Sequence, residues 1–150
     1  MPLPDRPALP EWADGTVAVL STVGDGPHAI PVSTGLRVSD DCVLIALAAR
    51  RGSLANLREN PLAALTLLAA GDVAVTVHAK ATVVADPMQI SDRVCAIKLD
   101  VVRIQDHGQP RFVIDDGVSW RWTEESARER DREVRAELKL IAHALGGAQL

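Results

Sequence analysis

Two arginines, a glycine and a serine form the stretch of this chain best suited to chemistry. Arg50, Arg51, Gly52 and Ser53 follow an apolar run, Cys42–Ala49, and precede a short amphipathic segment closed by Pro61. A strand feeding a helix here leaves backbone N–H groups unpaired at the helix start, beside the positive end of the helix dipole. Both favour an anion. The guanidinium groups add forked donors that match phosphate oxygens. The pattern suits a phosphorylated ligand. The alternative is a plain helix start, with Ser53 as N-cap and the arginines solvated or paired with carboxylates.

Other polar groups are less organised. His28, His78, His107 and His143 have no metal-ligand spacing, so no metal site is expected. His28 follows a turn and His78 lies in a strand beside Lys80; each reads first as a surface histidine, with a groove contact as the alternative. Asp115 and Asp116 are turn residues before they are a catalytic pair. Ser21, Ser33 and Ser53 lack a nucleophile elbow, and no side chain stands out as catalytic. Trp120-Arg121-Trp122 is distinctive. In a strand the two indoles share one face and Arg121 takes the other. Such a pair fills a core or a dimer seam, or covers a cofactor ring.

The elements that would position these groups are short. Thr16–Val23 and His28–Thr34 read as strands around the turn Gly24-Asp25-Gly26. Leu36–Val38 continues the second. Cys42–Ala49 is the next strand, and Ser53–Glu59 a helix with Leu54 and Leu57 on one face. Leu62–Leu68 and Val73–Ala85 follow, the latter alternating Val73, Val75 and Val77 with Ala74, Thr76 and His78. Val94–Gln105 is a further strand. Arg111–Ile114 and Val118–Trp122 are expected to form a last hairpin around Asp115-Asp116-Gly117. Thr123–Ala144 is a helix whose docking face is Leu138, Ile141, Ala142 and Leu145. Its middle, Arg128 to Arg135, alternates in charge and reads as solvent-facing.

Bulk properties limit the alternatives. The 150 residues fit one domain with a real core, and 47% of them are hydrophobic. A net charge of −4, with no basic run, leaves a nucleic-acid role without a footprint. Three Trp, one Phe and no Tyr mean that aliphatic residues build the core. Cys42 and Cys95 sit apart in apolar stretches and need no disulfide. The proline-rich start lacks the apolar segment of a signal peptide, and no run approaches a membrane span. A cytoplasmic, soluble protein is expected. Many short antiparallel strands with one inserted helix and one terminal helix point to a mainly β (α+β) Greek-key barrel. The expected divisions are an N-terminal arm at 1–15, a barrel at 16–122 and a C-terminal helix at 123–150.

The order of pieces resembles the split-barrel flavin-binding proteins related to pyridoxamine 5′-phosphate oxidase. Three segments carry the likeness: Val19–Val32, with its glycine turn, histidine and proline; Leu47–Pro61, a phosphate strand followed by the Asn56-Leu57 helix; and Leu65–Leu67 with Val77–Val84. Together they cover roughly residues 16–85. The resemblance implies a split antiparallel barrel, a homodimer, and FMN in a groove between two barrels. Pro31, Val32 and Ser33 would line the ring. Ala48, Ala49, Arg51 and Ser53 would surround the phosphate and ribityl chain, with Arg50 adjacent. Many relatives carry a lysine where this chain has Ser53, a change that removes ~1.5–3 kcal/mol of charge-assisted bonding. The implied activity is an FMN-dependent oxidoreductase acting on a small molecule. The alternatives are a deazaflavin-dependent reductase and a non-catalytic cofactor- or haem-binding barrel, with His28 or His78 as axial ligand.

Overall fold

A computed structural model describes residues 5–50 and 52–147 of the chain. Seven strands make one antiparallel sheet: β1 (Ala18–Val23), β2 (Pro27–Val32), β3 (Leu36–Ser39), β4 (Cys42–Ala48), β5 (Leu62–Ala69), β6 (Val73–Ala85) and β7 (Val94–Asp106). Their order across the sheet is β2-β1-β5-β6-β7-β4-β3. Helix α1 (Gly52–Glu59) joins β4 to β5, and α2 (Glu125–Gly147) follows the sheet in sequence. This is the mainly β split barrel with two helices expected from the sequence. The sheet is not closed, because β2 and β3 do not pair with each other.

Alternation explains the core. Along β1, Ala18, Leu20 and Thr22 point inward and are buried, while Val19 and Val23 are exposed. In β5, Ala63, Leu65, Leu67 and Ala69 are buried between more exposed neighbours. Side chains such as Leu20, Ile45, Leu65, Val75 and Ile97 form one interior cluster, which Leu54 and Leu57 of α1 join. Burying each such aliphatic residue contributes about 1.5–3 kcal/mol.

β4 is buried on both faces, which explains its unbroken apolar run. Leu44 on its outer side packs with Met88 and Ala96, and with Val134 and Leu138 of α2. Ile141, Ala142 and Leu145 flank that cluster, so the docking face expected for the terminal helix is the one used. Glu137 of α2 fixes the 88–91 connection by accepting from the backbone N–H groups of Gln89 and Ile90, at 2.9 and 2.8 Å.

The N-terminal segment lies against the sheet. Leu9 is 3% exposed in the main core, and the Arg6 N–H donates to the Ile104 carbonyl at 2.9 Å. Residues 33–35 link β2 to β3, the two end strands of the sheet. Each is held by a different element. Arg135 of α2 donates to the Ser33 carbonyl, and the Trp12 indole N–H to the Gly35 carbonyl. The Thr34 hydroxyl accepts from the Ala46 N–H at 3.0 Å and donates to the Ala46 carbonyl at 3.2 Å. Since Leu36 pairs with Leu44, Thr34 faces Ala46 in the same register, and its side chain stands in for the ladder.

The expected hairpin of Arg111–Ile114 and Val118–Trp122 does not form. Residues 107–122 run without strand pairing. Val113, Val118, Trp120 and Trp122 are all exposed, so no buried face holds two strands in register. The turn chemistry is used differently: Asp72 exchanges bonds with Ile114, accepting at 2.9 Å from its N–H and donating to its carbonyl at 3.1 Å. Gly117 passes so close to β5 that an added Cβ would lie 2.7 Å from the Leu68 carbonyl oxygen. Among the described residues no helix is long and apolar enough to cross a membrane.

Candidate functional site

The outer ends of β1, β2 and β5 form a groove of about 530 Å³, within the range typical of small-molecule sites. Ser21, Ala29, Ala64 and His78 lie along it, and their places follow from the ladder: Ser21 pairs with both Ala29 and Ala64, and Ala64 pairs with His78. A period of two therefore puts these side chains on one face across four strands. His28 also lines the groove. Two histidines fifty positions apart in sequence thus share one cleft.

The groove ends against α1. An added Cβ on Gly52 would lie 3.9 Å from the His28 ring, so the imidazole stands beside the helix start. Asn56 of α1 donates its amide to the buried Thr22 hydroxyl at 3.1 Å. The same amide packs so closely on the β1–β2 turn that a Cβ on Gly24 would fall 2.5 Å from its oxygen. The helix is pinned to the end of the groove by Thr22, His28 and Gly24.

Ser53 is the group without a home. It is 0% exposed, and its hydroxyl is the one buried side-chain polar atom lacking a hydrogen-bond partner among the described residues. Because α1 begins at Gly52, Ser53 lies inside the first turn and is not the residue that precedes it. Such an atom normally finds a partner. Its place among the unpaired N–H groups of a helix start suits an oxyanion.

The remaining predicted site residues are placed as follows. Pro31 is exposed on the outer face of β2, two residues beyond Ala29, and is not among the residues that line the groove. Val32 is 8% exposed with its side chain in the core, leaving only its backbone toward a ligand. Ser33 is half-buried, its carbonyl engaged by Arg135. Ala48, Ala49 and Arg50 are exposed at the end of β4, where the Ala49 N–H donates to the Arg93 carbonyl at 2.8 Å. Arg51 lies outside the described residues.

Two features escape the linear reading. On the outer face, His78 Nε2 lies 2.6 Å from the Gln105 side-chain oxygen, a hydrogen bond that holds the imidazole in place. Below α1, Arg58 donates to Asp86, which also accepts from the Cys95 thiol at 3.2 Å. That pair, the Arg58 bond first, holds the Asp86 carboxyl below its usual range. Burial, then the Asp86 carboxylate, pushes the Cys95 thiol up, so it stays protonated near neutrality. No signal in the sequence joins Arg58, Asp86 and Cys95. Among the described residues no cluster of His, Cys, Asp and Glu could hold a metal ion.

Comparison with solved structures bears on the fold. A Listeria innocua protein named as a candidate pyridoxamine 5′-phosphate oxidase matches 63% of this chain and 90% of its own, with 17% identity and a TM-score of 0.52. An FMN-binding protein from Syntrophomonas wolfei covers 65% and 81% of the two chains, at 14% identity and a TM-score of 0.53. An F420 reductase covers 65% and 98%, at 14% identity and a TM-score of 0.53. No family model and no curated protein matches the sequence. The chain therefore shares the split-barrel fold of these flavin-type proteins.

Proposed function

We propose that this chain is an FMN-dependent oxidoreductase acting on a small organic molecule. The observation that carries the reading is the buried Ser53 hydroxyl, without a hydrogen-bond partner among the described residues, in the first turn of a helix that packs on Thr22 and His28 of the groove. A phosphate at the start of α1 would accept from the helix N–H groups, with Arg50 and Arg51 as cationic partners, and from the Ser53 hydroxyl once its side chain turns out of the core. Ala48 and Ala49 carry no bulk that would block its approach. The isoalloxazine ring fits the outer face of β2 against Ala29, Pro31 and the backbone of Val32 and Ser33. When bound, the flavin supplies the electron and hydride transfer, and the protein supplies position and shelter. His78, its ring held by Gln105, lines the same groove and can exchange a hydrogen bond with a ligand there.

The exposed rim of Val19, Val23 and Leu62 suits closure by a second copy, and we include a homodimer in the proposal. Light scattering that finds a monomer at micromolar concentration would count against that part. For the cofactor, the purified protein is titrated with FMN and with the deazaflavin coenzyme while its visible spectrum is followed. Saturable binding of FMN is expected. Binding of the deazaflavin alone would move the assignment to a deazaflavin-dependent reductase, a reading favoured by the F420 reductase of like fold. Failure of both at tens of micromolar would end this proposal.

A non-catalytic haem-binding barrel is the second reading, because His28 and His78 line one groove. Gln105 already occupies Nε2 of His78, which leaves His28 as the freer axial ligand. A Soret band on haem addition that is lost in His28→Ala would favour it.

A further inference from the structure

A second cleft, remote in sequence from the groove, has a composition that the flavin reading does not use. It is formed by Asp14-Gly15, the segment Trp120–Trp122 and one side of α2, and encloses about 730 Å³. One wall is aromatic. The two indoles meet edge to face, with centroids 5.3 Å apart and planes at 84°. Trp120 is anchored by its N–H, which donates to the Gly15 carbonyl at 2.8 Å. At 39% and 42% exposure, both rings keep open surface for a planar ligand.

The facing wall is cationic. Arg128, Arg132 and Arg135 recur at i, i+4 and i+7 and so share one side of α2. Each is steadied by a carboxylate of its own helix: Glu125 at 3.7 Å, Glu129 at 2.6 Å and Asp131 at 2.8 Å. A guanidinium has five N–H donors, so Arg128 and Arg132, with one carboxylate each, keep most of theirs for a ligand, whereas Arg135 also donates to the Ser33 carbonyl. Arg121, on the aromatic wall, has no hydrogen-bond or ion-pair partner among the described residues. The two acids that line the cleft are already engaged, Asp14 with Lys139 at 3.0 Å and Asp131 with Arg135. The uncommitted donors are therefore positive, in a chain whose net charge is −4.

We propose that this cleft binds a small polyanion bearing a planar ring, of which a nucleoside diphosphate is the simplest representative. The ring would stack on the indoles of Trp120 and Trp122, and the phosphates would bridge Arg121 to the arginines of α2. The proposal does not rest on the flavin reading.

The test is titration of the full-length protein with ADP by calorimetry and by tryptophan fluorescence, with adenosine and inorganic pyrophosphate as partial ligands. Saturable ADP binding that quenches the indoles, tighter than either partial ligand, is expected. Arg121→Ala should weaken it tenfold or more, while its melting temperature stays that of the parent. Arg130→Ala, a change on α2 outside the cleft lining, should leave it unaltered. The ADP affinity should be the same with and without saturating FMN. No saturable binding up to millimolar ADP, equal affinities for Arg121→Ala and the parent, or competition between ADP and FMN would each overturn the proposal.

Discussion

Replacing Ser53 with alanine should have opposite effects on the empty and the loaded protein. A buried hydroxyl left without a partner costs the folded state about 1–3 kcal/mol. Ser53 meets that description, with no exposed surface and, among the described residues, no hydrogen bond to its oxygen. Removing one oxygen leaves a void of roughly 15 Å³, a loss of about 0.4 kcal/mol at ~24 cal/mol per Å³. The balance favours Ser53→Ala by about 1 kcal/mol, which for this chain length is a rise in Tm of ~2–4 °C. The phosphate reading asks the reverse of the loaded form. Losing a hydrogen bond to a charged group costs ~1.5–3 kcal/mol, a roughly tenfold to 150-fold loss of FMN affinity. At one hundred times the parent Kd, FMN stabilises the parent by about 2.7 kcal/mol and a tenfold weaker variant by about 1.4. The variant's advantage therefore vanishes or reverses as FMN is added. Melting curves with and without FMN, together with a calorimetric titration, measure both effects. An empty variant that melts lower than the parent would show that the hydroxyl has a partner after all. Unchanged FMN affinity would show that it does not face the phosphate.

Three further expectations test neighbouring parts. Arg51→Ala should weaken FMN by ~1.5–3 kcal/mol in calorimetric titration, the range for hydrogen bonds to charged groups, whereas Arg58→Ala, whose guanidinium is committed to Asp86, should do much less. Asp86→Asn should alter the acid limb of stability. The folded carboxyl lies below its ordinary value of 3.8, so its contribution is complete above that pH and lost as the pH falls through the lower, folded value. Urea titrations should accordingly show the variant less stable at pH 7, with the difference shrinking below pH 3.8. Gly117→Ala places a Cβ 2.7 Å from a backbone oxygen that cannot swing away, and should destabilise by ~1–3 kcal/mol. Loss of Trp120 docking on Gly15 should follow, read as a red shift in tryptophan emission.

What the sequence conveyed depended on how local each cause is. The bounds of β6 are those expected, Val73–Ala85, because the alternation of buried and exposed side chains begins in its own residues. The docking face of α2 was legible for the same reason. The hairpin at 111–122 failed because turn residues specify a bend but not an acceptor for the strands beside it; the sheet ends at β2 and β3, and neither takes them. Ser53 was readable as a polar residue at a helix start, but one residue of register decides whether its hydroxyl caps the helix or is buried inside it. His28 and His78 each looked like a surface histidine. Only the order β2-β1-β5-β6 brings them to one groove, and that order is set by long-range pairing. The proline-rich start hid Leu9 and Trp12, whose burial depends on surfaces far along the chain.

The link at 33–35 fixes the shape of the whole barrel. The two end strands of the sheet are separated by the full hydrogen-bonded order, yet Val32 and Leu36 are only four steps apart in the chain. Four extended steps reach at most about 14 Å. The slit of the split barrel can therefore be no wider than that at this point, and the sheet must curl until its ends nearly meet. The limit is one of tether length and owes nothing to packing. An inserted residue would relax it by about 3.5 Å and shift Thr34 out of step with Ala46. Because the N-terminal segment, β4 and α2 all hold the same three residues, the tether also works as a common knot. A disturbance that frees one of them slackens the others, so these three distant parts of the chain should exchange their amide protons as one unit.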